Sequence, residues 1–138
     1  MERIEALAEF LEIELEDGET LEDHLTEESE EEFRYGTRTY LVLTEDEADI
    51  AAWEAISQTL WAFNADFLSG ITGLPELVFK ALQNEMSEDA NETILQLVGD
   101  KFDDLVSEAT SSDGRGHFMS SYDGKEEEVG EYFIYRMD

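Results

Sequence analysis

The sequence predicts an α+β fold: a small antiparallel sheet, made of a hairpin over 33–43 and a C-terminal strand, covered by three or four helices. Three observations carry that reading. Tyr40-Leu41-Val42-Leu43 is a compact apolar run of strand character. It leads into Thr44, with Glu47 three residues on, the pairing in which two side chains reach each other's backbone N–H and start a helix. Far downstream, Tyr132-Phe133-Ile134-Tyr135-Arg136 again reads as a strand, one that would pair with the hairpin.

Each element has its own local reason. Ile4, Leu7, Ala8 and Leu11 recur at helical spacing, which predicts a short helix at the start. Residues 12–16 alternate Glu-Ile-Glu-Leu-Glu, which fits a half-exposed strand, although a helix continuing to Glu16 fits nearly as well. From Glu16 to Glu32 the chain holds ten carboxylates and no base, and is expected to be loop or a short, poorly ordered helix. Phe33-Arg34-Tyr35 and Arg38 to Leu43 flank Gly36-Thr37 as a hairpin. The helix after Thr44 carries Ala48, Ala52, Ile56, Leu60 and Phe63 on one face and is expected to run to about Phe63. Its first turn holds Glu45, Asp46 and Glu47, where the helix dipole favours negative charge. Pro75 suits the first position of a helix to about Met86. Ser87 opens a further helix whose apolar face is Ala90, Ile94, Leu97, Val98, Phe102, Leu105 and Ala109. Turns follow at Asp113-Gly114 and Asp123-Gly124. In domain terms this gives an acidic N-terminal segment, 1–32, and a single α+β domain, 33–138.

At 138 residues the chain is long enough for a core without metal or disulfide support, and it has no cysteine to ligate zinc. The N-terminus lacks the basic and apolar regions of a signal peptide, and no apolar run approaches a membrane span, so a cytoplasmic location is expected. The extreme property is a net charge of −29, from 37 acidic residues against 8 basic ones. Residues 1–32 alone hold 15 acids and a single base, Arg3. Such a chain repels nucleic acid and anionic membranes and attracts basic surfaces. Direct binding of DNA or RNA is excluded, because it depends on Lys and Arg neutralising phosphates.

Two groups of residues are candidates for function. The first is carboxylate rows. Asp100, Asp104 and Glu108 fall at i, i+4 and i+8, a repeat of about 6 Å along a helix, and Asp103 widens the stripe. Glu85 with Asp89 repeats the spacing, and Glu12, Glu14 and Glu16 would share one face of a strand, about 6.6 Å apart. Such rows can imitate the phosphates of one nucleic-acid strand; alternatively they are solvated faces, or the coat of a protein from concentrated salt. The second group is a turn, Asp113-Gly114-Arg115-Gly116-His117, which could present Arg115 and His117 to a pocket joined by Asn64 and Asp66, with His117 as a general base. The plainer reading makes these residues turn and cap formers. No phosphate-binding loop, zinc-protease or nucleophile-elbow pattern is present, and no cofactor is expected. Trp53, Trp61, Phe63 and Phe67 are read as core aromatics.

The segments YLVLTEDEAD, LWAFNADFL, EDANETILQLV and DGRGHFMSSYDG, with the closing YFIYR, resemble a family of small phage or prophage proteins without an established activity. The resemblance covers roughly 33–138 and implies a phage setting, inside a host cell. By analogy of charge and context the chain is similar in type to DNA-mimic inhibitors of restriction or CRISPR nucleases. The resulting expectation is a non-enzymatic protein whose partner is a basic, nucleic-acid-binding host protein. A phage interaction module with some other basic partner, or a small enzyme or ligand-binding domain using the Arg115–His117 turn, are the alternatives.

Overall fold

The computed structural model describes residues 1–138, which divide into two compact units, 1–51 with 114–138, and 52–113. The first holds a five-stranded, wholly antiparallel sheet; together with the helices this gives the α+β class. Its strands are β1 (Thr26–Glu27), β2 (Glu32–Tyr35), β3 (Arg38–Thr44), β4 (Glu127–Val129) and β5 (Tyr132–Arg136), in the order β1-β2-β3-β5-β4. The hairpin β2–β3 turns at Gly36, whose φ of 62° a residue with a side chain rarely adopts. The C-terminal strand docks beside it, Val42 opposite Ile134 and Leu43 opposite Phe133. The outermost strands are only two and three residues long, and both carry Glu, which leaves little edge for another chain to pair with.

One face of the sheet is covered by helix α1 (Arg3–Phe10), whose Ala6, Leu7 and Ala8 form a cluster with Leu25, Phe33, Tyr40, Val42 and Ile134. Residues 1–32 therefore do not stand apart as an acidic segment. Ala6, Leu7, Ala8 and Leu25 lie in the core, with Ile4, Leu11, Ile13 and Leu21 packed partly buried against it, while Met1, Phe10 and Leu15 are exposed. The alternating stretch 12–16 is neither strand nor helix. Glu12 takes a left-handed φ of 56° just past the end of α1, and residues 13–16 then follow with no helix or strand pairing. The acidic tract beyond it is ordered by a 3-10 turn at Leu21–Asp23 and by the pairing of β1 with β2.

Thr44 and Glu47 cap helix α2 (Glu45–Gln58) as expected: the Thr44 N–H donates to Glu47 Oε1 at 2.8 Å, and the Glu47 N–H to Thr44 Oγ1 at 3.3 Å. The boundary between the two units falls within this helix. It stops five residues short of the expected end, with a 3-10 turn at Leu60–Ala62. Asn91 holds the break: its amide donates to Ser57 O at 2.7 Å, and its side-chain oxygen accepts from Trp61 N–H at 3.2 Å.

The 52–113 unit is otherwise helical, with α3 (Ala65–Thr72), α4 (Glu76–Met86), α5 (Asn91–Val98) and α6 (Phe102–Asp113). Pro75 lies just ahead of α4. The single long helix expected after Ser87 is broken. Ser87 and Gly99 both take positive φ, 50° and 55°, and 3-10 turns at Ser87–Ala90 and Gly99–Lys101 lead into α5 and α6. Ala90, Ile94, Val98, Phe102, Leu105 and Ala109 are nevertheless buried, so most of the apolar period survives the breaks; Leu97, expected on the same face, is exposed. No helix is long and apolar enough to cross a membrane.

Candidate functional site

The longest of the expected carboxylate rows lies in the 52–113 unit. Phe102, Leu105 and Ala109 turn one face of α6 inward, so Asp103, Asp104 and Glu108 point to solvent, and Asp100 does so from the turn before it. The chain is helical from the Gly99 turn onward, and the i, i+4, i+8 row of Asp100, Asp104 and Glu108 lies on this one stretch. Of the twelve carboxylates in this unit, eleven are exposed and make no ion pair; the other, Glu76, meets Lys80 at 2.8 Å. The remaining cation, Lys101, donates instead to the carbonyl of Thr72 at 3.2 Å. None of Asp100, Asp103, Asp104 and Glu108 makes an ion pair.

Asp103 differs from its neighbours in being fixed. Its Oδ1 accepts from the indole N–H of Trp53 at 3.1 Å, and Trp53 stands edge-on to Phe102 with ring centroids 4.9 Å apart. Trp53 is 44% exposed, so it is a surface aromatic beside the acidic row and not a core residue. A signal for this was present: the buried side of α2 runs through Ala52 and Ile56, and Trp53 falls about 100° round from Ala52.

The other rows do not form. Glu85 closes α4 while Asp89 lies in the next turn, with the left-handed Ser87 between them, so their four-residue spacing is not a helix face. Glu12, Glu14 and Glu16 are exposed but have no strand to align them. The carboxylates do not gather into a metal-binding group either.

The turn residues are held by local contacts. Asn64 caps α3, its side chain accepting from Asp66 N–H at 2.8 Å, and both belong to the 52–113 unit. Arg115 and His117 belong to the other unit, on a five-residue helix α7 (Arg115–Met119) that follows the left-handed Gly114. Arg115 points inward. Its Nε donates to Glu126 Oε1 at 2.6 Å, its guanidinium reaches Asp49 Oδ1 at 2.7 Å, and the same group lies 4.6 Å from the Phe133 ring centre. Burial alone would lower its pKa, but the bonds to Glu126 and Asp49 outweigh that and hold the charge firmly on. Tyr135 donates its phenol proton to the same Glu126; burial, then that carboxylate, push its pKa up. Arg115 is thus a bolt joining α2, α7 and the segment that leads into β4. His117 is exposed, its ring edge-on to Phe118.

No protein family, no curated protein and no solved structure matches this chain, and what it does is read from its own chemistry.

Proposed function

We propose that this is a phage-encoded, non-enzymatic inhibitor that occupies the nucleic-acid groove of a basic host defence protein, such as a restriction or CRISPR nuclease. The observation that carries the reading is the row Asp100, Asp104 and Glu108, exposed and without ion pairs on one helical stretch beside Asp103, which Trp53 holds. A groove lined with Lys and Arg gains from the release of ions when phosphates enter it, and a row of carboxylates can take the same contacts without offering bases. Trp53 adds what phosphates lack, a half-exposed aromatic next to the charges, the residue type that most often anchors a protein interface. The location that follows is the host cytoplasm.

The test begins with the tagged chain as bait for host proteins, followed by competition of the recovered partner with duplex DNA or guide RNA. Binding weakens steeply with salt, as nucleic-acid binding does. Changing Asp100, Asp104 and Glu108 together to Asn, Asn and Gln keeps side-chain size and removes three aligned charges. At about 1 kcal/mol per exposed charge, the triple variant loses on the order of tenfold to a hundredfold in affinity. His117→Ala leaves binding unchanged. A partner that holds the triple variant as tightly as the parent, and that nucleic acid fails to displace, would end the mimic reading.

A further inference from the structure

A second site lies on the sheet, in the unit formed by 1–51 and 114–138. Strand registers decide what faces it. Tyr40 pairs with Arg136 and Val42 with Ile134 across β3 and β5, and Glu127 of β4 lies opposite Ile134. Side chains alternate along a strand, so Arg38, Tyr40, Ile134 and Arg136 share the face that α1 covers. Beyond the last turn of α1, that cover ends. Phe10 meets the Tyr40 ring edge-on at 6.3 Å, the 123–125 turn closes another side, and a cavity of about 300 Å³ remains between them.

The cavity collects positive charge from a chain that has almost none. Arg38, Lys125 and Arg136 line it, three of only eight basic residues. Four of the others, Arg3, Arg34, Lys80 and Arg115, each meet a carboxylate in an ion pair; these three do not, although carboxylates outnumber bases more than fourfold. Arg136 stacks over the ring of Tyr122 at 3.5 Å and donates one N–H to the carbonyl of Asp138 at 3.3 Å, while its Nε is buried without a hydrogen-bond partner. An unmet donor on a cation is costly to bury. Asp123 lines the same cavity: its Oδ1 accepts from Ser120 Oγ at 2.9 Å and from Lys125 N–H at 3.0 Å, and its charge also acts on Lys125 and Arg136 without closing an ion pair. Phe10, Tyr40 and Ile134 supply the apolar wall.

We propose that this cavity binds a small organic monocarboxylate, its carboxylate held among Arg38, Lys125 and Arg136 and its apolar body against Phe10, Tyr40 and Ile134. Two features select that class. Counting Asp123 and Glu127, the lining carries one net positive charge, which a single carboxylate neutralises. A polyphosphate would instead bring several charges into the field of a protein at −29, which repels them. The volume is at the lower end for ligand sites and suits a single ring or a short chain.

Titration of the full chain with benzoate, followed by amide NMR shifts, tests this. Saturable shifts are expected, centred on 38–40, 123–125 and 134–136, with neutral benzamide binding at least tenfold more weakly. Arg38→Gln and Lys125→Gln, both at exposed positions, should each weaken benzoate about tenfold while leaving the far-UV spectrum unchanged. The triple variant at Asp100, Asp104 and Glu108 should bind benzoate like the parent, which separates this site from the acidic row. Equal binding of benzamide and benzoate, or Gln variants that bind as the parent does, would overturn the proposal. Stronger saturation by phenyl phosphate than by benzoate would overturn the assignment of ligand class, and shifts that never saturate would leave no site.

Discussion

Replacing Arg3 by Met should destabilise the protein at neutral pH and have little effect in acid. Arg3 binds both oxygens of Glu47, at 2.6 and 2.9 Å, and the carbonyl of Val42 at 2.9 Å, tying α1 to β3 and to the start of α2. The Arg3 guanidinium, against the opposing effect of burial and with help from Thr44, holds the Glu47 carboxyl down to about 2 from its ordinary 4.5. That difference corresponds to at most about 3 kcal/mol. Glu47 is 30% exposed and Arg3 16%, so screening by solvent brings the working figure to about 1–2 kcal/mol. In a chain of this length such a loss lowers the melting temperature by about 4–7 °C. The sign of the pH dependence follows from the direction of the shift. A carboxyl whose folded pKa is depressed stabilises fully above its ordinary pKa, and that stability is lost as pH falls toward about 2. The gap between parent and variant should therefore close between about pH 5 and pH 2. Glu31 acts in the opposite sense, since burial and then the nearby Glu47 charge raise its pKa. Its strain is relieved by mild acid, and Glu31→Gln should raise the melting temperature at neutral pH. Thermal melts of parent, R3M and E31Q across this range are the assay. A constant offset between parent and R3M from neutral to strongly acid pH would refute the argument.

Two further outcomes are expected. Added salt should raise the melting temperature, because screening shortens the reach of like charges from ~30 Å at 0.01 M to ~10 Å at 0.1 M ionic strength, and a flat response would mean that bound cations already neutralise the surface. Gly116→Ala should cost about 1–3 kcal/mol, since a Cβ there would sit 2.7 Å from the Lys125 carbonyl carbon and 2.8 Å from both Glu126 N and Gly124 O; an unchanged denaturation midpoint would show that the 124–126 segment moves aside freely.

What could be seen in the sequence was whatever local chemistry decides. The Thr44–Glu47 cap, the Gly36 hairpin and the strand over 132–136 all depend on residues within a few positions of one another, and all three form. The end of α2 depends on Asn91, some thirty residues away, and no pattern near Gln58 announces it. At Ser87 and Gly99 the buried positions keep their period through each break, so periodicity passed over two reversals of φ. The acidic head misled for another reason: Leu7 and Leu25 are fully buried, but they stand among so many carboxylates that composition pointed to a solvated segment. Among the site residues, Asp100, Asp104 and Glu108 were legible because one helical stretch carries them. Trp53, Asp103 and the cavity around Arg136 required contacts between distant elements.

The order of strands bears on how the chain comes to be folded. Val42 and Ile134 are partners in the sheet but ninety-two positions apart, and the whole of 52–113 is synthesised between them. Closing so long a loop is slow compared with forming the local helix contacts of 52–113. While a ribosome makes that stretch, β3 waits with one flank unpaired and the apolar side chains of β3 and α1 without Ile134. An emerging chain in that condition risks pairing with its neighbours. The fifteen carboxylates of residues 1–32 are already present at that point, and like charge of this density opposes the approach of one copy to another.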